Sequence, residues 1–374
     1  MMIGKKIDQN GGTLSFHNFM HLALYSPMYG YYSGNKEKIG TGGDFITAPA
    51  LSPLFGQSFA RVFQPILQNL GENACIVEYG AGYGQFALDC LKALQHLNRL
   101  PKQYIIIETS ANLMKAQKTL LHQKLPEYYH RIHWCQEIPQ NCTSAVVFAN
   151  EVLDAMPVEL FQYRKGKFSQ KRVKKTPDGQ FAFTDQDVQD ERLKAALKAT
   201  GVAVLDVDEI YTSEVNLWLK PWLKSIQTRL EKCVLFVCDY GYHQALYYQK
   251  ERSCGTLRCY YRHHVHDNPL IYAGVQDITA HVDFTALIEA GVSLDFELEG
   301  YATQGSFLIE AGITKCYRTA CESQGDKQKL ILSQHLKQLT LGSNFAENFK
   351  VMALSLDYPH EIKEFGRIDL SYLL

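Results

Sequence analysis

The fold of this chain is decided by residues 74–85, which read ACIVEYGAGYGQ. The apolar run Cys75–Val77 leads to Glu78. Three glycines then alternate with other residues: Gly80, Gly82 and Gly84. Apolar residues at helical spacing follow from Phe86 to Leu94. This order predicts a strand, a glycine turn and a helix.

The glycine turn favours a bound ligand. Glycine allows positive φ and lets a ligand lie against the backbone, and the helix N-terminus offers N–H groups to an anion. The spacing is Gly-x-Gly-x-Gly, whereas dinucleotide folds use Gly-x-Gly-x-x-Gly for a pyrophosphate. We therefore expect a cofactor without a pyrophosphate, namely S-adenosylmethionine, with its amino-acid end on the turn and with Glu78 nearby. A tight loop without a ligand is the alternative for the turn alone.

A ribose-binding acid is expected at the end of the next strand. Residues 103–109, QYIIIET, form an apolar run that ends in Glu108, 24 positions after Gly84. That offset is close to the value of about 20 residues for a ribose-binding carboxylate. Ser110 is the predicted N-cap of the following helix. Together, Glu78 and Glu108 favour the cofactor interpretation over a simple loop.

Composition excludes several classes of protein. The 374 residues contain 38 Lys and Arg against 39 Asp and Glu, so no global basic field favours a nucleic-acid binder. No apolar run is long enough to span a membrane. The start, MMIGKKIDQNGG, lacks the apolar core and cleavage site of a signal peptide. We therefore expect a cytoplasmic location.

The cysteines are interpreted as core residues. Four of the ten lie in apolar strand or helix patterns: Cys75, Cys90, Cys233 and Cys238. A second group has side chains that can bind metals: Cys254, Cys259, His263, His264 and His266. That group lacks the Cys-x-x-Cys pair of a structural zinc site, so no metal is expected.

Residues before the glycine turn predict helices and a loop. A helix and an aromatic loop are predicted over 13–34, and a second helix over Leu54–Leu70. Residues 40–57 carry too many Gly, Pro, Ser and Thr residues for a strand or helix. This loop is either a plain connection or a wall over the cofactor. In the second case Gly43 and Thr47 contact the cofactor.

Further strands complete a predicted parallel sheet with helices on both faces. Their ranges are Arg131–Cys135, Ser144–Ala149 and Cys233–Val237. Ligands bind at the carboxyl ends of such strands. Candidate residues fall at these ends: Glu78, Glu108, Gln136, Asn150, Glu151 and Asp239. Gln136, directly after the strand Arg131–Cys135, is the expected contact of the cofactor's adenine. Asp239, in Asp-Tyr-Gly, predicts another turn that faces the site.

The remaining segments predict an inserted lobe and a C-terminal extension. Short alternating runs over 157–187 predict hairpins, whose cations favour a solvated face over an acidic partner. Helices are predicted from Asp277, over Lys327–Leu341 and over Asn344–Leu356, and a hairpin over Val292–Tyr301 and Ser306–Glu310. The predicted division is an N-terminal extension and loop (1–70), a Rossmann-like core (71–156), an inserted lobe (157–230), the rest of the core (231–312) and C-terminal helices (313–374).

Several of these stretches together resemble the MidA-like family of S-adenosylmethionine-dependent methyltransferases. They are SFHNFMHLALYSPMYGYYS, GGDFITAPALSPLFGQ, VEYGAGYG, FANEVLDAMPVE, DYG, QDITAHVDF and TQGSFLIEAGI. The resemblance covers nearly the whole chain in order. It implies an α/β class I methyltransferase core with a Rossmann-like sheet and an inserted α+β lobe. Mitochondrial members serve complex I assembly, which implies methylation of a protein arginine, with a respiratory-complex subunit as one acceptor.

Carboxylates after the fourth strand are the candidate catalytic groups. A protonated guanidinium is a poor nucleophile, and a carboxylate can orient one nitrogen and polarise it. Glu151 is the expected main carboxylate and Asp154 the second, with Glu159 binding substrate. The alternative for Asp154 is a helix cap. Second-lobe contacts to substrate are expected from Asp277 and His281, for which a satisfied polar role near a helix start is the alternative.

Other functions remain open at this point. A small-molecule or RNA methyltransferase is the nearest alternative, although Asn-Glu differs from the Asn/Asp-Pro-Pro-aromatic signature that stacks a base. A cofactor-sensing assembly chaperone with little turnover is an alternative from another class. The expected partner is the protein that carries the acceptor arginine, and a homodimer is compatible with the sequence.

Overall fold

The computed structural model describes residues 2–34, 47–205, 210–262, 264–322, 324–342 and 344–374. The α-helices of these residues are α1 (Met2–Gln9), α2 (Phe16–Tyr25), α3 (Ala48–Leu51), α4 (Pro53–Leu70), α5 (Gln85–His96), α6 (Ala111–Lys124), α7 (Glu191–Ala199), α8 (Leu219–Gln227), α9 (Gln244–Tyr247), α10 (Phe284–Val292), α11 (Gln304–Glu310), α12 (Ile313–Glu322) and α13 (Asp326–Thr340). The strands are β1 (Thr13–Ser15), β2 (Cys75–Tyr79), β3 (Tyr104–Ile107), β4 (Ile132–Cys135), β5 (Ser144–Asn150), β6 (Glu159–Arg164), β7 (Lys167–Lys175), β8 (Phe181–Asp187), β9 (Tyr211–Val215), β10 (Lys232–Tyr242), β11 (Arg258–Tyr261), β12 (His264–His266), β13 (Asp277–Thr279), β14 (Val282–Asp283), β15 (Glu297–Thr303) and β16 (Phe349–Leu356).

The chain forms two compact units, each built from three segments. The core unit comprises Glu37–Leu153, Leu223–Gly241 and Ile288–Leu374. The insert unit comprises Met1–Lys36, Asp154–Trp222 and Tyr242–Leu287. The predicted N-terminal extension, 1–70, is therefore divided between the two units. The predicted inserted lobe, 157–230, overlaps only one of the three insert segments, Asp154–Trp222, and its residues 223–230 belong to the core unit.

The core unit is organised by a sheet with strand order β15-β16-β10-β5-β2-β3-β4. Neighbouring pairs among β4, β3, β2, β5 and β10 are parallel. Their buried runs of Ile, Val, Phe and Cys suit strands covered by helices on both faces. The predicted α/β class with a Rossmann-like sheet is confirmed. Because the strands are parallel, the residues that follow β2, β3, β4 and β5 lie along one edge.

Phenylalanine rings fill one side of the core. The Phe86 and Phe148 rings stack with centroids 4.0 Å apart at 14°, and Phe59 packs 4.9 Å from Phe148. Phe59 lies on α4, which begins because Ser52 accepts a hydrogen bond from the Leu54 amide and Pro53 occupies the first helical turn. Packing of α4 on α5 therefore fixes the helix that follows the glycine turn.

The C-terminal segment corrects two predictions. Residues Ser306–Glu310 belong to helix α11, because the Thr303 side chain caps that helix by accepting from the Ser306 amide. Strand β15 therefore pairs with β16, antiparallel, and not with residues 306–310 as predicted. The helix predicted over Asn344–Leu356 is wrong in its second half, because Phe349–Leu356 forms β16 between β15 and β10.

The insert unit contains the predicted hairpins. Its main sheet has the order β1-β7-β6-β9, with β8 on β7, and the turn residues Lys165, Gly166 and Gly179 have positive φ. Three hairpin lysines pair with aspartates: Lys167 with Asp187, Lys171 with Asp185 and Lys175 with Asp8. These exposed or partly exposed pairs support the solvated-face interpretation of the basic hairpin.

Residues 252–282 contain more order than the sequence predicts. A small sheet with order β12-β11-β13 occupies this region, and Asp277 begins β13 instead of a helix, since the next helix starts at Phe284. Among the described residues, no three His, Cys, Asp or Glu side chains are grouped as a metal site requires. His263 lies outside them. Within the same described residues, no helix is long and apolar enough to span a membrane.

Phe148→Ala tests the aromatic core. The ring is fully buried, so its loss should lower the free energy of unfolding by about 3–5 kcal/mol. Urea unfolding followed by circular dichroism measures the change. Leu330→Ala is the control, because Leu330 is 63% exposed and its loss should cost less than about 0.5 kcal/mol. Equal losses for the two variants would contradict the packing described.

Candidate functional site

The turn after β2 uses each glycine for its backbone conformation. Gly80, Gly82 and Gly84 have φ of 62°, 52° and 87°, values that other residues adopt only with strain. A Cβ on Gly80 would lie 3.1 Å from Cγ2 of Val152. Gly84 is the N-cap of α5. The predicted strand, turn and helix are confirmed, and the first amides of α5 are offered to a ligand.

Glu108 follows β3 and is held by two N–H donors. The Ser110 amide donates to Oε1 at 2.8 Å, and Nε2 of Gln117 donates to Oε2 at 3.0 Å. Ser110 also caps α6, as predicted, by accepting from the Leu113 amide. The carboxylate is therefore fixed at the carboxyl edge of the sheet, as a ribose-binding group requires.

Gln117 is a candidate site residue that the sequence analysis missed. Its side chain is fully buried on α6. Besides Glu108, Nε2 donates to the carbonyl of Gly82 at 2.8 Å, and Oε1 accepts from Nε1 of Trp134 at 2.9 Å. One amide thus connects the glycine turn, the carboxylate after β3 and strand β4. The available signal was a polar residue in the apolar stripe between Leu113 and Leu121.

Glu78 lies in a different environment from Glu108. Its carboxyl is buried within β2, and the Tyr104 hydroxyl donates to Oε2 at 2.7 Å. Burial raises the pKa of Glu78 to about 8; the Tyr104 hydrogen bond opposes this rise and nearby Glu108 adds to it. Glu78 is therefore largely protonated at neutral pH. Its predicted contact with the cofactor stays a prediction, now for a neutral carboxyl group.

Strand β5 ends at Asn150, and Glu151 follows it in a strained backbone conformation. Glu151 has φ of 51°, which is costly for a residue with a Cβ and is typical of functional sites. Its amide donates to the Cys238 carbonyl at 2.9 Å. Nδ2 of Asn150 donates to Oε1 of Glu151 at 3.1 Å. Buried Oδ1 of Asn150 has no hydrogen-bond partner among the described residues.

Asp239 supports the loop after β5. The predicted turn at Asp239-Tyr-Gly is wrong, because β10 continues to Tyr242. Asp239 is fully buried, and its Oδ2 accepts from the Leu153 amide at 3.0 Å. Oδ1 accepts from the Tyr240 amide at 2.9 Å. These bonds position the loop that carries Glu151, while the predicted substrate contact of Asp239 stays a prediction.

Three cofactor candidates are less informative. Thr47 is the N-cap of α3. Gln136 is exposed directly after β4, as expected for a residue beside a ligand. Gly43 lies outside the described residues. Contacts of Thr47 and Gln136 with the cofactor stay predictions.

The other acidic candidates belong to the insert unit. No helix begins just after Asp154, so the helix-cap alternative is wrong. The Asp154 carbonyl accepts a hydrogen bond from the Ala280 amide at 2.9 Å. Glu159 accepts from Nε2 of Gln170 at 3.0 Å and from Ser15 and the His17 amide. Glu159 therefore supports the start of α2, and burial raises its pKa.

Asp277 and His281 also lie in the insert unit. Both oxygens of Asp277 accept from the Tyr32 hydroxyl, at 3.0 and 3.2 Å. The His281 ring stacks on Tyr242 with centroids 5.3 Å apart, and its amide donates to Oγ1 of Thr256 at 2.9 Å. Asp277 lies in β13 and His281 lies three residues before α10, so a satisfied polar role near a helix start stays the alternative for them. Their substrate contacts stay predictions.

The core unit fits S-adenosylmethionine at the edge described. The left-handed glycine turn leaves room for the amino-acid end, and unpartnered Oδ1 of Asn150 can accept from an ammonium group. Glu108 would hold the ribose hydroxyls. The sheet order, the glycine turn and this carboxylate define a class I S-adenosylmethionine-dependent methyltransferase.

Comparisons with known proteins identify the family. A family model of S-adenosyl-L-methionine-dependent methyltransferases matches residues 58–302. A COG1565 superfamily member from Burkholderia thailandensis, solved with S-adenosyl-homocysteine, superposes with a TM-score of 0.91 and 34% identity over 100% of this chain and 95% of that one. The chain therefore belongs to this methyltransferase family and is an enzyme that uses S-adenosylmethionine. The resemblance drawn from the sequence motifs is confirmed.

Two curated relatives carry more specific names. The human mitochondrial protein arginine methyltransferase NDUFAF7 is 26% identical over 395 residues, 95% of this chain and 82% of the human protein. Its homolog from Caenorhabditis elegans is 26% identical over 359 residues, 89% of this chain and 82% of that protein.

Gln117→Met tests the amide that connects the cofactor edge. Loss of its bonds to Glu108 and Gly82 should weaken S-adenosylmethionine binding about tenfold, measured by isothermal titration, since about 1.4 kcal/mol corresponds to a factor of ten. Gln123→Met, on the exposed face of α6, should bind normally. When Glu108→Ala is already present, adding Gln117→Met should weaken S-adenosylmethionine binding by clearly less than tenfold, because the two residues are coupled. If the loss of affinity in the double variant equals the product of the two single losses, Gln117 does not act through Glu108.

Glu78→Gln tests the buried carboxyl group. The folded pKa of about 8 lies above the usual glutamate value of 4.5, so between these two pH values the folded state holds a proton that the unfolded state has lost. As the pH rises through this window, the free energy of unfolding of the wild type should therefore fall relative to that of Glu78→Gln by up to about 1.4 kcal/mol per pH unit. Urea unfolding at pH 5.5, 6.5 and 7.5 measures the difference. The exposed control Glu127→Gln should parallel wild type, and a parallel Glu78→Gln profile would contradict a buried protonated carboxyl.

Proposed function

We propose that this enzyme methylates arginine side chains of a protein acceptor. Two features support the proposal: the names of the curated relatives and the carboxylate of Glu151 beside the cofactor edge of the core unit. Arginine needs such a group, because its charge is delocalised and its protons are retained at neutral pH.

Of these two features, the position of Glu151 is the structural observation that carries the proposal. Asn150 fixes one carboxylate oxygen, and the Cys238 carbonyl fixes the backbone amide, so a strained conformation is maintained at this position. Bonds from the Asp239 carboxylate hold the following loop. Such support is expected where a side chain must be oriented to within a fraction of an ångström.

The proposed chemistry assigns two tasks to Glu151. The cofactor supplies a methyl group on a sulfonium when it is bound. Glu151 accepts hydrogen bonds from the guanidinium. These bonds orient one nitrogen and reduce the positive charge on it. As the new C–N bond forms and the bond between the methyl carbon and the sulfonium sulfur breaks, which would leave S-adenosyl-homocysteine, the same carboxylate takes the proton that this nitrogen loses.

Glu151→Gln should separate catalysis from cofactor binding. The amide keeps an oxygen for Asn150 but removes the charge, so methyl transfer should fall at least about 100-fold. The binding constant for S-adenosylmethionine should stay within about threefold of wild type. The measurement is methylarginine by mass spectrometry, after incubation with S-adenosylmethionine and total protein from cells that lack the enzyme.

Glu127→Gln is the matched control, since Glu127 is an exposed glutamate of the core unit. Full transfer by Glu151→Gln would remove Glu151 from the mechanism. Methyl groups found on other residues, on RNA or on small molecules, and absent from arginine, would overturn the proposed acceptor. Cofactor binding with no transfer to any acceptor would instead favour an assembly role.

A further inference from the structure

Two buried cysteines of the core unit lie next to each other. Cys75 is the first residue of β2, and Cys142 lies two positions before β5 begins at Ser144. These cysteines are 3% and 2% exposed, and their thiols form a hydrogen bond with each other. The reaction proposed above uses neither thiol, so the contact between them calls for a separate explanation.

Backbone contacts hold both cysteines in place. Strands β2 and β5 are parallel neighbours, in which Cys75 is paired with Ala145, three positions after Cys142. The carbonyl of Thr143, directly after Cys142, accepts from the Lys232 amide of β10 at 3.2 Å. The thiols are thus presented to each other by fixed backbone. Disulfide formation requires only that the two sulfur atoms close from hydrogen-bond contact to about 2.05 Å.

The hydrogen bond gives the two thiols different reactivity. Cys142 donates to Cys75 and so lowers the pKa of the Cys75 thiol; burial opposes this fall, and the backbone of Gln103 and the charge of Lys102 add to it. The same bond, and then burial, raise the pKa of the Cys142 thiol. The thiolate is the form of cysteine that attacks oxidants. Cys75 is therefore the expected nucleophile, and Cys142 is the thiol that resolves the oxidised product.

A third cysteine lies too far away to compete for Cys75. Cys233 of β10 is paired with Ala145 from the other side of β5. Because neighbouring strands lie about 4.8 Å apart, Cys75 and Cys233 are separated by about 9.6 Å across β5. A disulfide needs Cα atoms within about 7 Å of each other. The register of the sheet therefore selects Cys142 as the partner.

We propose that Cys75 and Cys142 form an oxidisable dithiol, which hydrogen peroxide converts to a disulfide. The Cys75 thiolate attacks one oxygen of the peroxide, the O–O bond breaks, and a sulfenic acid and hydroxide result. The Cys142 sulfur then displaces hydroxide from the sulfenic acid, and the Cys142 proton converts this hydroxide to water as the S–S bond forms. The two sulfurs together lose two electrons, which reduce the peroxide. This proposal does not depend on the acceptor of the methyl group.

The disulfide would join two central strands at the edge opposite the cofactor. The glycine turn and Glu151 follow the carboxyl ends of β2 and β5, whereas the cysteines lie at the amino ends. Oxidation should therefore leave the affinity for S-adenosylmethionine within about threefold of the reduced protein, since distant sites are usually independent. A cross-link between residues so far apart in the sequence restricts the unfolded chain. It should raise the midpoint of thermal unfolding by about 3–10 °C.

Mass spectrometry of the full chain tests the dithiol. Reduced protein is treated with hydrogen peroxide, remaining thiols are blocked with N-ethylmaleimide in urea, and the digest is searched for cross-linked peptides. The expected product joins Cys75 to Cys142 and disappears on treatment with dithiothreitol. Cys142→Ser should instead accumulate sulfenic or sulfinic acid at Cys75, because the resolving thiol is missing.

Cys254→Ser is the control, since Cys254 is exposed in the insert unit, and this variant should form the same disulfide as wild type. Thermal unfolding of the reduced proteins identifies any variant that fails to fold, and the product map of the wild type requires no variant. Oxidation of Cys254 in a wild type whose Cys75 and Cys142 stay reduced would overturn the proposal. A disulfide from Cys75 or Cys142 to any other cysteine would overturn it as well.

Discussion

The side-chain amide of Gln117 is the contact on which the cofactor edge of the core unit depends. It donates to the Gly82 carbonyl and to the Glu108 carboxylate, and it accepts from the Trp134 indole. The glycine turn has left-handed backbone at three positions, and its Gly82 carbonyl is held by the Gln117 amide. Leaving one hydrogen bond of this buried amide unmade would cost about 1–3 kcal/mol. The conformation in which all three bonds are made is therefore favoured. The turn, the carboxylate and strand β4 therefore act as one preformed surface.

The same edge shows how environment gives similar residues different tasks. Glu78 lies inside the sheet, where burial and a tyrosine hydroxyl keep its carboxyl largely protonated. Glu108 accepts two N–H groups, and Glu151 is held at positive φ by its amide bond to β10. Three glutamates that look alike in sequence thus become a neutral core group, the predicted ribose ligand and the proposed catalytic carboxylate. Different environments commonly shift the pKa values of carboxyl groups in opposite directions and so give these groups different roles.

Local signals predicted much of the fold, and contacts distant in sequence account for what they missed. The glycine spacing, the apolar runs and the Ser110 cap placed β2, α5, β3 and α6 correctly, because each depends on neighbouring residues. Phe349–Leu356 was misread as helix, since a strand buried between two others shows no alternation. Asp239 was read as a turn because its support of the Leu153 amide is visible only in three dimensions. The same holds for Gln117, whose partners Gly82 and Trp134 are 35 and 17 positions away along the chain.

The central claim is that the edge built by the glycine turn, Glu108 and Asn150 is where S-adenosylmethionine binds. The most direct test is a crystal structure of this protein grown with S-adenosyl-homocysteine. The account predicts that the ribose hydroxyls lie within hydrogen-bond distance of the Glu108 carboxylate and that the amino-acid end lies against Gly80–Gly84. Density for the ligand at any other edge or face, with Glu108 and Asn150 making no contact, would contradict it.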